Sequence, residues 1–458
     1  MVVTKKRIEE NEEFDRISDL PNEVIDCILD RVSIKDAVRT SILARKWRSH
    51  WTRLTNLVFD QDFVYDEVMK TEYNDHDKLY SDYIDIVGTF LLLHNGPIHK
   101  FVLFIPDLRT KPPFHINFNK WMHVVSHSGV KEISLDTPGN RFRTLSSYLY
   151  DCLELRCLTL RNCAIKHRYN FIGFANLISL QLSKVWIFKD GDLSTLVSDC
   201  PLLENLFIEW VSWRSFTVSA LKLQTMSFRG FCLADFTMRN VPNLVTLSLR
   251  SDGRARKPYE IVNFFGVMPK IESITLGQQI FKILAEHHVP STLPTPLKCL
   301  RILTIMNINV AKPKQVLCVL CMLRSSPYLQ TLNLGVYMIE SLVNQAAEAA
   351  NVANLDEQSV EPDYNLSSLV TVKINGLQGT RPQTTFAKFI LASCTALEKL
   401  YVDAVNSIPQ ETELMMKSEL MECNRASTKA KIIYSKGQGR RDMSYLGRDD
   451  SFVFDFDF

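Results

Sequence analysis

The sequence predicts an α/β chain: a small helical head, then a long solenoid of short strands, then a C-terminal cap. Three observations predict it. A dense three-and-four apolar spacing is confined to about forty residues near the start, a pattern that makes one stripe along a helix. A shorter pattern, L-x-x-L-x-L, recurs along most of the remaining chain. Several of its copies have a proline just before the strand, which ends a helix and lets an extended segment begin.

The head is carried by "DLPNEVIDCILDRVSIKDAVRTSILARKWRSHW", from Asp19 to Trp51. Leu20, Val24, Ile25, Ile28, Leu29 and Val32 fall on one helical stripe. Pro21 suits a first turn, where its missing N–H costs nothing, and Glu23 suits the positive end of the helix dipole. Ser33, three residues before Asp36, predicts a capped start for a second short helix through Ala37 and Val38. Leu43, Trp47 and Trp51, each four residues on from the last, predict a third helix with both indoles on one face. A core drawn from about forty residues is too small to be stable alone, so part of this surface must meet a partner or the rest of the chain.

The segment "DRISDLPNEVIDCILDRVSIKDAVRTSILARKWRSHWTRL" resembles a plant-type F-box. The landmarks are Asp15-Arg16-Ile17-Ser18, Leu20-Pro21, Lys35-Asp36-Ala37, Arg39-Thr40-Ser41 and Arg45-Lys46-Trp47-Arg48, in that order. The resemblance implies docking onto the Skp-type adaptor of a cullin-RING ubiquitin ligase. Carried onto this sequence, the contacts are Leu20, Pro21, Val24, Ile25 and Ile28, with Val38, Leu43 and Trp47 behind them. One departure is visible: Val32-Ser33 stands where many relatives have Leu-Pro. For each of these residues the alternative is that it only packs the helical head.

The L-x-x-L-x-L theme starts at Leu54, Val130, Leu155, Leu177, Leu203, Leu223, Leu244, Ile271, Leu300, Leu329, Leu369 and Leu397, with a degenerate copy at Ile98. Neighbours are mostly about 20 to 32 residues apart, so this body resembles an irregular leucine-rich-repeat solenoid. In L-x-L the two apolar side chains point to one face of a strand and the middle residue to the other. One unit cannot bury its own face, so the units must stack. Helical patterns such as Leu79, Tyr83, Ile84, Val87, Phe90 and Leu91 are expected to back the strands.

Two stretches break the rhythm. Val343 to Asp363 is polar, alanine-rich and then acidic, and predicts a helix extended by a loop. "SSLVTVKINGLQG" through "RASTKAKIIYS" resembles the FBD region that closes many plant F-box repeat proteins, and reads physically as a terminal cap. The closing "SFVFDFDF" alternates apolar and acidic residues and is expected to be an edge strand or a frayed tail. The expected boundaries are 15–54 for the F-box, 55–365 for the repeats, 366–436 for the FBD-like cap and 437–458 for the tail.

Composition excludes several classes. With 46% hydrophobic and 23% charged residues the chain has the balance of a soluble globular protein. A formal net charge of +2 argues against a polyanionic partner such as nucleic acid. The charged N-terminus is no secretory signal, and no run approaches the roughly 18 apolar residues of a membrane helix, so an intracellular site, nucleus or cytoplasm, is expected. Eleven scattered cysteines fit reduced thiols better than a disulfide framework. Cys318 and Cys321 form a CxxC, but zinc needs about four ligands and no others lie at a suitable spacing, so both are expected in the core. The motifs of serine hydrolases, phosphate loops, dinucleotide sites and zinc peptidases are absent. His287 and His288, being adjacent, do not share a helical face, and the basic "SDGRARKP" reads as a solvated loop. No catalytic residue, metal or cofactor is expected.

The strand face not consumed by stacking is where a partner would bind. Its ladder runs through Thr159, Gln181, Phe207, Ser227, Ser248, Thr275, Thr304, Asn333 and Tyr401. Its densest part is Phe207, Glu209, Trp210 and Trp213, with Arg229 and Arg250 on the next repeats, and aromatics beside arginines are the composition of interface hot spots. For Trp210 and Trp213 the alternative is filling a gap between repeats. The functional expectation is therefore a non-catalytic substrate receptor of a Skp-cullin-F-box ligase, holding an unidentified protein target. A scaffold that sequesters a partner outside any ligase is the alternative, and a hydrolase or nucleic-acid binder is a third class.

Overall fold

The computed structural model describes residues 17, 19–65, 76–106, 114–139, 143–166, 171–188, 192–211, 215–230, 236–251, 261–286, 288–337 and 366–437. The expectations for the N-terminal 16 residues, Trp213, His287, the basic stretch after Ser251, the Val343–Asp363 insertion and the closing "SFVFDFDF" lie outside the described residues. The chain divides into two compact units, Met1–Leu177 and Ile178–Phe458.

The first unit opens with helix α1 (Asn22–Leu29), whose first turn hangs on the Pro21 carbonyl, and α2 (Ile34–Thr40). The Ser33 hydroxyl accepts the Asp36 N–H at 3.1 Å and donates to the Asp36 carboxylate at 2.8 Å, which is the expected cap. The third helical segment, Arg45–Arg53, is a 3-10 helix. With about three residues per turn, positions three apart eclipse, not positions four apart. The indoles therefore part: Trp47 is buried beside His50, whereas Trp51 is half-buried and meets Phe90 edge-on at 5.2 Å.

Strands β1 (Asn56–Phe59), β2 (Lys100–Phe104) and β3 (Glu132–Asp136) follow, with α3 (Gln61–Phe63), α4 (His76–Leu93) and α5 (Phe114–Ser126) in the connections. After the short β4 (Arg143–Thr144) come β5 (Cys157–Arg161) and β6 (Cys163–Ile165), which pairs with β4. β1, β2, β3 and β5 form a parallel sheet in unbroken register, stacking Leu57, Phe101, Ile133 and Leu158 in one buried column and Phe59, Leu103, Leu135 and Leu160 in the next. Tyr83, Val87 and Leu91 of α4 are buried as their spacing predicted.

In the second unit the chain order is β7 (Ser179–Ser183), β8 (Trp186–Ile187), α6 (Asp192–Ser198), β9 (Asn205–Glu209), β10 (Phe216–Val218), β11 (Thr225–Gly230), β12 (Phe236–Met238) and β13 (Thr246–Ser251). Then come α7 (Ile261–Gly266), β14 (Ser273–Leu276), α8 (Gln278–Glu286), β15 (Ile302–Ile308), α9 (Pro313–Arg324), β16 (Thr331–Val336), β17 (Thr371–Leu377), β18 (Lys399–Ala404) and β19 (Lys431–Lys436). Helices Arg381–Ser393 and Gln410–Glu422 fill the last two connections. The main strands pair in parallel, neighbour to neighbour, from β7 to β19.

Repeat length decides what backs each strand. Asn205 to Thr225 is 20 residues, too few for a strand, two turns and a helix, and β10 pairs with β12 behind that part of the sheet. Ile302 to Thr331 is 29 residues and carries a 12-residue helix. The prolines mark a turn that precedes the strand. Leu203, Leu244, Ile271 and Leu329 each donate their N–H to the carbonyl three residues back, with proline at the second turn position, where its fixed φ fits. The same bond forms without proline at Leu223 and Leu300.

Candidate functional site

Helix geometry splits the apolar stripe of the head into two rows. Ile25 and Leu29, four apart, point inward and are fully buried. Pro21, Val24 and Ile28 lie on the adjoining face and are exposed, Val24 by 41% and Ile28 by 40%. Leu20 and Val38 are half-buried. Leu43 stands in the turn after α2, 77% exposed, and Trp47 is 5% exposed. The eight expected adaptor residues are thus sorted: Pro21, Val24, Ile28 and Leu43 present apolar surface, whereas Ile25 and Trp47 support it from within.

Sequence reasoning missed further exposed apolar side chains, Ile17, Val32 and Ile42, the last 85% exposed. The signal for Val32 was its place at the end of the α1 stripe; Ile42 has no periodic signal, because it lies in a turn. Also missed was the polar framework beneath. Asp26 accepts a hydrogen bond from His50 Nδ1 at 2.6 Å and pairs with Arg53 at 3.2 Å. The Asp30 carboxylate accepts the Thr55 N–H at 2.7 Å and its hydroxyl at 2.8 Å, tying α1 to the start of β1. Lys46 Nζ donates to the Leu20 carbonyl at 2.7 Å and fixes the approach to α1.

On the strand face of the second unit, the register sets Ser227 between Phe207 and Ser248, and Arg229 between Glu209 and Arg250. Arg229 lies 3.7 Å from the Glu209 carboxylate and 5.5 Å from the centroid of Trp210, over whose ring its guanidinium sits. Ser183 donates to the other oxygen of Glu209 at 3.2 Å. Phe207, Glu209, Trp210, Arg229 and Arg250 are therefore brought together, all half-buried, while Trp213 lies outside the described residues. Trp210 has φ of 53°, a left-handed conformation that costs a side-chain-bearing residue about 1–2 kcal/mol. Asn162 and Lys184 hold the same conformation directly after β5 and β7. Asparagine tolerates it, lysine and tryptophan do so less readily, and no pattern in the sequence signals a tryptophan there.

Cys318 and Cys321 are both fully buried in α9, and burial pushes both thiols up. Burial likewise raises Cys152, Cys163 and Cys394 to about 12, so at neutral pH these sulfurs remain protonated and unreactive. Among the described residues no group of three or more His, Cys, Asp or Glu could hold a metal ion, and no helix is long and apolar enough to cross a membrane. What the described geometry offers is surface for association.

Comparison with known proteins agrees with both regions. The family model of the F-box domain matches residues 17–59, that of the LRR repeats of FBD-associated F-box protein At5g56370 matches 118–334, and that of the FBD matches 357–402. The chain is similar to F-box/FBD/LRR-repeat protein At1g13570 of Arabidopsis thaliana, 30% identical over 427 residues that cover 92% of this chain and 98% of that protein. It is also similar to FBD-associated F-box protein At4g10400, 27% identical over 92% of this chain and 100% of that one, and to F-box/LRR-repeat protein 13, 25% identical over 93% and 98%, both of the same plant. With its head, repeats and closing region each matched in order, this chain belongs to the plant F-box/FBD/LRR-repeat proteins.

Proposed function

We propose that the chain is the substrate receptor of a Skp-cullin-F-box ubiquitin ligase, working inside the cell, with its head on a Skp-type adaptor and its strand face on a target protein. The observation that carries this reading is the outward row of Pro21, Val24 and Ile28, which leaves apolar side chains exposed beside a head whose interior is already filled by Ile25, Leu29 and Trp47. On this reading the chain forms no covalent bond. It raises the local concentration of a lysine-bearing target beside a charged ubiquitin carrier. Phe207, Trp210, Arg229 and Arg250, with Glu209 orienting Arg229, are the residues assigned to the target.

Co-purification with a Skp-type adaptor tests the reading. Hot-spot changes cost on the order of 2 kcal/mol, roughly thirtyfold in affinity, so Val24→Asp/Ile28→Asp is expected to abolish capture. Arg229→Ala is expected to leave it unchanged. A folded wild-type chain that captures no adaptor would overturn the ligase reading and favour the sequestering scaffold.

A further inference from the structure

On the strand face of the closing repeats, register brings like charges together. Lys399 of β18 stands directly between Thr371 of β17 and Lys431 of β19, and both lysines are exposed. Lys373, two residues beyond Thr371 on β17 and also exposed, is the diagonal neighbour of Lys399. Adjacent strands lie about 4.8 Å apart and diagonal neighbours about 7–8 Å apart, so three ammonium-bearing side chains rise from one patch.

Like charges directly opposite each other weaken a sheet. In other repeats the register sets opposite charges side by side: Lys100 of β2 meets Glu132 of β3 at 3.4 Å, and Glu209 meets Arg229 at 3.7 Å. Two acids of the closing repeats are committed to other groups. Asp403 is buried and accepts from the Ser435 hydroxyl at 2.7 Å, while Glu413 holds Lys417 and Lys436.

Alongside Lys399 and Lys431 runs the next row of the same face, Lys373, Tyr401 and Ile433 in register. The Lys373 ammonium lies 5.5 Å from the centroid of the Tyr401 ring, and Ile433 is 40% exposed. The patch therefore offers charge and apolar contact side by side. A bare inorganic anion uses only the charge, whereas a protein segment that sets carboxylates beside apolar side chains uses both.

We propose that the face of β17, β18 and β19 binds an acidic segment of the target protein. Its carboxylates meet Lys399, Lys431 and Lys373, and an apolar side chain between them covers Tyr401 and Ile433. The inference rests on the reading that the strand face holds a protein, and it names the chemistry of that protein.

Fluorescence anisotropy on the full chain tests it with two labelled peptides of twelve residues, one alternating glutamate with leucine and one alternating lysine with leucine. The glutamate peptide is expected to bind and the lysine peptide not. Lys399→Glu is expected to weaken binding by roughly tenfold or more, Ile433→Ser by roughly threefold, and Lys399→Arg to retain it. Raising the salt from about 0.05 M to about 0.5 M is expected to weaken it too, because exposed charges are screened. Lys399→Glu faces Lys431 with an opposite charge, so urea unfolding of this variant is expected to show no loss of stability. Absence of any preference for the glutamate peptide, or equal affinity in wild type and Lys399→Glu, would overturn the proposal. Loss in Lys399→Glu without loss in Ile433→Ser would also overturn it, by assigning the patch to small anions. Adaptor capture is read on the same preparations: a chain that captures the adaptor and ignores the glutamate peptide overturns this inference alone and leaves the ligase reading standing.

Discussion

Asp26 ties α1 to the third segment of the head. Its carboxylate serves the buried His50 and the Arg53 guanidinium together, so Asp26→Ala leaves an imidazole N–H without its acceptor. An unsatisfied buried donor costs about 1–3 kcal/mol, and urea unfolding of Asp26→Ala is expected to show a loss of that size. Lys184 makes the opposite case. Its φ of 51° is strained for lysine and its side chain is exposed, so Lys184→Gly removes strain while sacrificing little contact. A gain of about 0.5–1 kcal/mol is expected in the same assay, and Lys184→Val is expected to lose stability, because a β-branched side chain fits left-handed backbone worst.

At the scale of elements, the terminal helix and β19 are fastened by charge. Glu413 of the helix accepts from Lys417 at 2.7 Å and from Lys436 of β19 at 2.6 Å. These hydrogen bonds, Lys417 first and then Lys436, hold its carboxyl down to about 2. Lys417 also stands 3.8 Å from the centroid of Tyr434, and burial, followed by the Glu413 charge, raises that phenol to about 12. A carboxyl whose pKa is lower folded than unfolded contributes stability that is complete above the unfolded value, here about 4.5, and is lost as pH falls through the folded one. Exchange protection of β19 is therefore expected to be flat from pH 7 to about 5 and to decline between about 4.5 and 2. In Glu413→Gln that step should vanish. The strands themselves are fastened by packing: Leu249 is fully buried between Phe228 and Leu276 in register, and Leu249→Ala is expected to cost about 2–5 kcal/mol in thermal or urea unfolding.

At the scale of the molecule, contacts in a stacked-repeat architecture are made between neighbours, so damage stays local. Leu249→Ala in the second unit is expected to change adaptor affinity by less than about twofold, since sites with no shared partners act additively. Val24→Asp/Ile28→Asp is expected to do the reverse, abolishing adaptor capture with little change in the unfolding of the second unit. Opposite results from this pair of variants would mean that adaptor binding draws on the repeats.

The sequence by itself determined the order of parts and the position of the strands. Period two in L-x-L and the demand of each apolar pair for a stacked neighbour leave few alternatives, and every described strand but β4, β6, β8, β10, β12 and β19 falls on one of the thirteen copies of the theme. Only the tertiary structure decided what local spacing cannot see. It made the third segment of the head 3-10, and so buried Trp47 with His50 instead of aligning it with Trp51. It turned Ile25 inward and Val24 and Ile28 outward within a single stripe, a choice set by which face the neighbouring helices fill. It set Arg229 between Glu209 and Arg250, because residues about 20 apart meet only through strand register, and register is the sum of all the turns between them.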